Sequence, residues 1–306
     1  MALPDTFISL RPGVVALISR AAHSQIGAPK PTFPDIIGTG FFVDKRGIIA
    51  TNRHVVESLE QLPKHPSTGR VTAAAIVFLE PRRRDGGTVV GCLFIDVENY
   101  WVLGNFQAAS RWYGEIDPDL AFVQLRATDT PALKLDERTG LVRAGIDIGT
   151  AGFPMGSSAI TLHGNITQVM PMLRRGIISS VFPFQAPLPH GFTIDAMVQP
   201  GASGSPVFLT DEPTVVGMLS AVMRDTATGT FSSEEPSFSG MLSIPLSTNI
   251  SIALPSHLIA KALRDLDATG AIRDTGMPTM TSLIPGQPEI YHEFTWDTFV
   301  TKPTKP

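Results

Sequence analysis

Between Val14 and Leu254 the sequence runs as a succession of short stretches rich in Val, Ile, Phe and Thr, each cut off by Gly, Pro or Asp. Examples are VVALIS, GTGFFVD, IIATN, TAAAIVFL, LAFVQL, IDIGTAGF, GIISSVF, TVVGMLSAV and ISIAL. β-Branched and aromatic side chains suit a pleated surface, and punctuation at this spacing ends each stretch before a helix could complete several turns. With 26 prolines and 27 glycines, long helices have little room, so the chain reads as all-β. Residues 126 to 146 read as a connector between two strand-rich halves of similar length that share no sequence repeat. Two six-stranded antiparallel β-barrels with a cleft between them account for the strand count, the first over residues 1–135 and the second over 136–255.

One helix is expected, in SHLIAKALRDLDATG over residues 256–270. Ser256 is placed to cap its start, Leu258, Ile259, Leu263 and Leu266 recur at helical spacing, and Gly270 stands where a C-terminal cap belongs. Its expected role is to pack across the barrels. Residues 271–306, rich in Pro and Thr, read as a tail.

Charge excludes some functions. The net charge of −4 leaves no electrostatic footprint for nucleic acid. The one basic run, Arg82-Arg83-Arg84, is followed by Asp85 and two glycines and reads as an exposed turn. No apolar run approaches the roughly 18–20 residues of a membrane span, and the N-terminus lacks a basic stretch ahead of an apolar one. The single cysteine, Cys92, rules out an internal disulfide and sits in an apolar strand-like run as a structural thiol. The expectation is a cytoplasmic protein that needs no membrane, metal or organic cofactor.

The residues that carry chemistry lie near three places. QPGASGSPVF, at 199–208, holds Ser203 and Ser205 between glycines. An alcohol is a poor nucleophile at neutral pH and needs a base in hydrogen-bond reach, with a third group to orient that base. Among the seven histidines, His54 stands out because it closes the strand–turn–strand pattern GTGFFVDKRGIIATNRHVV, at an expected strand-to-turn junction. Asp119 in EIDPDLAFVQL precedes an apolar strand that would carry it to a barrel rim, with Asp117 as the alternative. Taken singly, a histidine after a strand and an aspartate before one are ordinary structural features.

Taken together, these stretches resemble the trypsin-like (chymotrypsin-fold) serine peptidases, and within them the HtrA/Deg protease domain. The match also includes TAGFPMG, RRGIISS, TIDAMVQPGASGSPVF and ISIALPSHLIAKAL, over about residues 12–270 and in the order His, Asp, Ser. The resemblance implies a serine endopeptidase acting on protein or peptide substrates, with His54, Asp119 and Ser203 as the triad. It also implies an oxyanion hole from the backbone N–H groups of Gly201 and Ser203, and a structural role for Ser205. The alternative is a catalytically silent peptide-binding or chaperone-like module on the same fold; an esterase would use the same machinery.

Departures from the family pattern carry further expectations. Ala202 stands where these families usually have Asp or Asn, so a switch that pairs a new N-terminal amine with that carboxylate is not expected. Residues 271–306 are too few for a PDZ domain. Met197 stands six residues before Ser203, where enzymes cutting after Lys or Arg carry an acid, and Leu219 stands where glutamate-specific relatives have His. With Val198, Ser220 and Val222 they imply a shallow apolar pocket for small aliphatic residues. Enlarged loops at 183–191 and 224–240 are read as exposed, mobile sites for a possible regulatory partner.

Overall fold

The computed structural model describes residues 1–19, 36–64, 69, 71–84, 87–104, 118–156, 170–184, 186–196, 199–232, 239–285 and 289–292. The first barrel contains β1 (Val14–Ser19), β2 (Ile36–Asp44), β3 (Ile48–Thr51), β4 (Ala73–Phe78), β6 (Gly87–Val102) and β7 (Ala121–Leu125). They pair in the order β6-β4-β1-β2-β3-β7, and a further β6–β7 ladder closes the ring at six strands. The second contains β9 (Asp147–Gly152), β10 (Met172–Phe182), β11 (Gly191–Asp195), β12 (Pro206–Leu209), β13 (Thr214–Ser232) and β14 (Ser239–Pro255). Its order is β12-β9-β10-β11-β14-β13, closed by β12–β13 pairing. Two closed six-stranded antiparallel barrels are therefore present, and closure removes the free sheet edges that would invite aggregation. β8 (Lys134–Leu135), at the end of the connector, lies parallel to β13.

Each barrel has an apolar interior: Leu17, Phe42, Ile49 and Val123 fill the first, and Ile148, Phe192, Ile194 and Val207 the second. A third buried cluster joins them. Phe41, Ile76 and Phe78 of the first barrel meet Phe153, Phe208, Met218 and Leu254 of the second, and the Phe78 and Phe153 rings lie 5.5 Å apart. Residues of alternating strand positions supply opposite faces of the first barrel's wall, so Phe41 faces the junction and Phe42 the barrel interior.

Helix α3 (Ser256–Ala268) packs Ile259 and Ala262 on this shared cluster. It also ties the barrels at polar points: Arg46 of the first barrel reaches Asp267 at 2.7 Å, and the Ser256 hydroxyl donates to the Asp136 carbonyl. The N-cap is Pro255 rather than Ser256, because the Ser256 hydroxyl is spent on that connector carbonyl. Among the described residues, two short helices were not expected from the sequence. They are α1 (Leu3–Leu10), whose Thr6 hydroxyl donates to the Thr210 carbonyl, and α2 (Arg53–Glu60), which buries Val55, Val56 and Leu59.

Two further readings need correction. Arg82–Arg84 form a short strand, β5, paired with β6, because a β-branched neighbouring stretch offers them a ladder. Most of the 224–240 segment is regular, with β13 and β14 continuing as a two-stranded ribbon from Arg224↔Ser247 to Ser232↔Ser239. Its Thr-rich sequence, DTATGTFS, suits that extension. The described part of the 271–306 tail lies along the first barrel: the Thr128 N–H donates to the Pro278 carbonyl, the Met280 N–H donates to the Thr128 carbonyl, and β15 (Glu289–His292) pairs with β6. Cys92 is buried, and desolvation pushes its thiol up to about 12.

The shared cluster makes a stability prediction. Phe208 is fully buried in it, so Phe208→Ala is expected to destabilise the protein by about 3–5 kcal/mol in denaturant unfolding, through lost burial and the cavity left behind.

Candidate active site

His54 sits on the first turn of α2, two residues after its N-cap Asn52, just past the end of β3. The sequence reading put it at a strand-to-turn junction; the strand ends in a helix because Val55, Val56 and Leu59 fall on one helical face and bury together. The four residues Thr51 to His54 hold Thr39 and the Asp119 segment in one continuous set of contacts. Asn52 Nδ2 donates to the Asp119 carbonyl at 2.8 Å, and Arg53 Nη2 to the Pro118 carbonyl at 2.7 Å. The His54 backbone N–H donates to Asp119 Oδ1 at 3.1 Å, and its ring Nδ1 lies 2.7 Å from Asp119 Oδ2.

A carboxylate only accepts, so Nδ1 carries the proton in this pair and Nε2 of the neutral ring has the free lone pair. Ser220, on β13 of the second barrel, donates to the same Asp119 Oδ2 at 3.3 Å. The hydrogen bond to Asp119 raises the His54 pKa, against a smaller lowering by burial. For Asp119, burial pushes upward, but His54 and Ser220 together hold the carboxyl below its ordinary value.

The 199–205 turn comes from the second barrel, just before β12. Gly201 and Gly204 have φ of +91° and +85°, a region costly for residues with a Cβ. A Cβ at Gly201 would lie 2.4 Å from the Phe153 carbonyl oxygen, and one at Gly204 would lie 2.0 Å from that of Thr39. Three backbone N–H groups of the turn are already used: Ala202 to Gln199 and Ser205 to Ala202 within it, and Gly204 to Leu219 on β13. Those of Gly201 and Ser203 donate to no described residue. Met155 N–H holds the Pro200 carbonyl at 2.5 Å, and in a planar trans peptide this turns the Gly201 N–H to the opposite side.

Ser203 is half-buried, and its hydroxyl makes no hydrogen bond to a described residue. Ser205 is 1% exposed and lies behind the turn. With Thr150, Ala202 and Leu219 it lines a cavity of about 10 Å³ whose described walls carry no carboxylate. Leu219 is buried and Val222 half-buried on β13, whereas Met197, Val198 and Asp117 fall outside the described residues. Sequence reasoning missed Asn52, Arg53 and Thr39 as parts of the site. The run TNRH held the signal for the first two, since its side chains are polar where an apolar strand ends.

Residues 38–218, more than half of the chain, match the trypsin-like peptidase domain family. The chain belongs to the trypsin-like peptidase family. Among solved structures it is similar to HtrA-type protease AlgW with a decapeptide, at 16% identity and a TM-score of 0.49, covering 88% of this chain and 69% of that one. It is also similar to a serine-to-alanine variant of the same protease with a decapeptide, at 17% identity and a TM-score of 0.50, covering 89% and 68%. At such identity the likeness shows the fold alone. A comparison with curated proteins finds no match.

The His54–Asp119 contact predicts how the ring titrates. By NMR, His54 is expected to titrate above the ordinary value of about 6.5, and Asp119→Asn is expected to lower its midpoint. A pKa raised by folding stabilises the fold fully below the unfolded-state value and loses that contribution as pH rises through the folded one.

Proposed function

We propose that this trypsin-like peptidase is a serine endopeptidase using His54, Asp119 and Ser203. The observation that carries the reading is the Gly201–Ser205 turn, whose two unused N–H groups flank the Ser203 side chain, together with a His54 ring oriented by Asp119. Ser203 Oγ attacks the scissile carbonyl carbon while its proton passes to His54 Nε2. The carbonyl oxygen takes the electron pair and becomes an oxyanion that accepts from the N–H groups of Gly201 and Ser203. Collapse breaks the C–N bond, His54 returns the proton to the leaving amine, and water repeats the sequence on the acyl-enzyme. Asp119 keeps the ring in the Nδ1–H tautomer and stabilises the imidazolium.

Because attack needs neutral His54, activity is lost as pH falls through its raised pKa. Ala202 and the carboxylate-free cavity behind it support a site that does not depend on a new N-terminal amine. For specificity, Leu219 and Val222, with Met197, Val198 and Ser220, favour a shallow apolar pocket that takes small aliphatic residues before the cut. The exposed Phe184, at 82%, and the β13–β14 ribbon offer surfaces for a regulatory partner at 183–191 and 224–240.

A fluorophosphonate probe is expected to label the wild type and not Ser203→Ala; no labelling of the folded wild type would favour a silent peptide-binding module. Cleavage profiling of a peptide library is expected to show Ala or Val before the cut, and a dominant Lys, Arg or Glu would overturn the pocket reading. The same profiling on a chain lacking residues 226–237 is expected to show altered rate or choice, and an unchanged profile would remove the case for a partner at the ribbon.

A further inference from the structure

Thr39, on β2 of the first barrel, is fully buried and makes four polar contacts around the site. Its hydroxyl donates to the Gly201 carbonyl at 2.8 Å and accepts from the Phe153 N–H at 3.0 Å. Its backbone N–H donates to the Ser203 carbonyl at 2.9 Å, and its carbonyl accepts from the Thr51 hydroxyl at 2.8 Å. Thr51 in turn ends the strand that runs into His54. One residue of the barrel that carries the base thus grips two carbonyls of the turn that carries the alcohol.

The two gripped carbonyls are those of Gly201 and Ser203, whose own N–H groups are the unused donors of the turn. A rigid peptide plane carries one residue's carbonyl with the next residue's N–H, and only φ and ψ join a residue's two planes, so holding the planes on both sides of a residue limits where its N–H can point. Met155 holds the Pro200–Gly201 plane from one side through the Pro200 carbonyl. Thr39 holds the next plane, Gly201–Ala202, through the Gly201 carbonyl, leaving little freedom for Gly201 between them. That restraint matters because glycine at φ +91° could otherwise turn readily. The surroundings fit a close approach: a Cβ on Gly204 would collide with the Thr39 carbonyl, and one on Gly152 would lie 3.0 Å from the Thr39 hydroxyl.

We infer that Thr39 is a positioning residue that acts across the barrel junction: its hydroxyl holds the peptide plane after Gly201 and its N–H the plane after Ser203, keeping the Gly201 N–H, and with it the Ser203 N–H, aimed at the oxygen that becomes negative during attack by Ser203. The inference rests on the serine-peptidase reading above and adds to it the element that keeps the oxyanion-binding turn assembled before substrate arrives. Thr39 touches neither substrate nor the reacting atoms.

The test compares Thr39→Ser, Thr39→Ala and Thr39→Val, with fluorophosphonate labelling rates normalised to the folded fraction. Serine and alanine differ only by the hydroxyl, and valine keeps the shape of threonine without it. Labelling places a phosphoryl oxygen where the oxyanion would sit, so it reads the turn directly. Thr39→Ser is expected to label close to the wild-type rate, whereas Thr39→Ala and Thr39→Val are expected to fall on the order of 10²-fold, as when one oxyanion donor is lost. The NMR titration of His54 should be unmoved in all three, since its contacts with Asp119 do not pass through the hydroxyl. Equal rates for Thr39→Ser and Thr39→Ala in folded protein would overturn the role of the hydroxyl while leaving the peptidase reading intact. Labelling of the wild type that is absent, or that survives Ser203→Ala, would overturn the peptidase reading and the role of Thr39 with it.

Discussion

The catalytic groups proposed for this protein come from two separately closed barrels, and the buried cluster at their junction sets the distance between them. Phe41 and Phe78 on one side, and Phe153, Phe208 and Met218 on the other, exclude water from the contact and leave one well-packed arrangement. Closely packed apolar surfaces do not slide by fractions of an ångström without losing contacts. The polar site at the rim can therefore use short, directional hydrogen bonds, which tolerate little misalignment.

On that base, the polar contacts at the junction form two linked sets. One runs from Asn52 and Arg53 to the Asp119 backbone and from His54 to the Asp119 carboxylate, with Ser220 reaching in from the second barrel. The other runs from Thr51 through Thr39 to the carbonyls of Gly201 and Ser203. Both start from the same four-residue stretch, Thr51–His54, at the end of β3. A displacement of that stretch would move the base, its orienting carboxylate and the grip on the nucleophile turn together. The buried members of these sets, Thr39, Thr51 and Asn52, have no exposure at all, so a broken contact could not be compensated by water from outside.

Much of the fold could be read from the order of residues. Nine apolar, β-branched stretches fall in strands, and the late helix lies where its spacing put it, because those signals arise from local backbone preference and from alternation across a sheet. Short helices and the ribbon were less accessible. Val55, Val56 and Leu59 carry helical spacing, yet eight residues are too few to separate a helix from the end of a strand by pattern alone. In the ribbon, Gly, Ser and Thr suggested an open loop, and only pairing of β13 with β14 turns that composition into a ladder.

His54, Asp119 and Ser203 stood out by residue type and order, since base, carboxylate and alcohol must all be present and the glycines around Ser203 mark a turn that needs positive φ. The sequence alone thus determined which strands could form, that two barrels of six were wanted, and which side chains were candidates for chemistry. Only the tertiary structure decided that Ser205 is walled off, that Ser220 meets Asp119, and that Thr39 grips a turn 162 residues away. Local propensity acts between near neighbours, whereas those contacts exist only once two barrels dock, and no spacing along the chain encodes which side chain will face which across that junction.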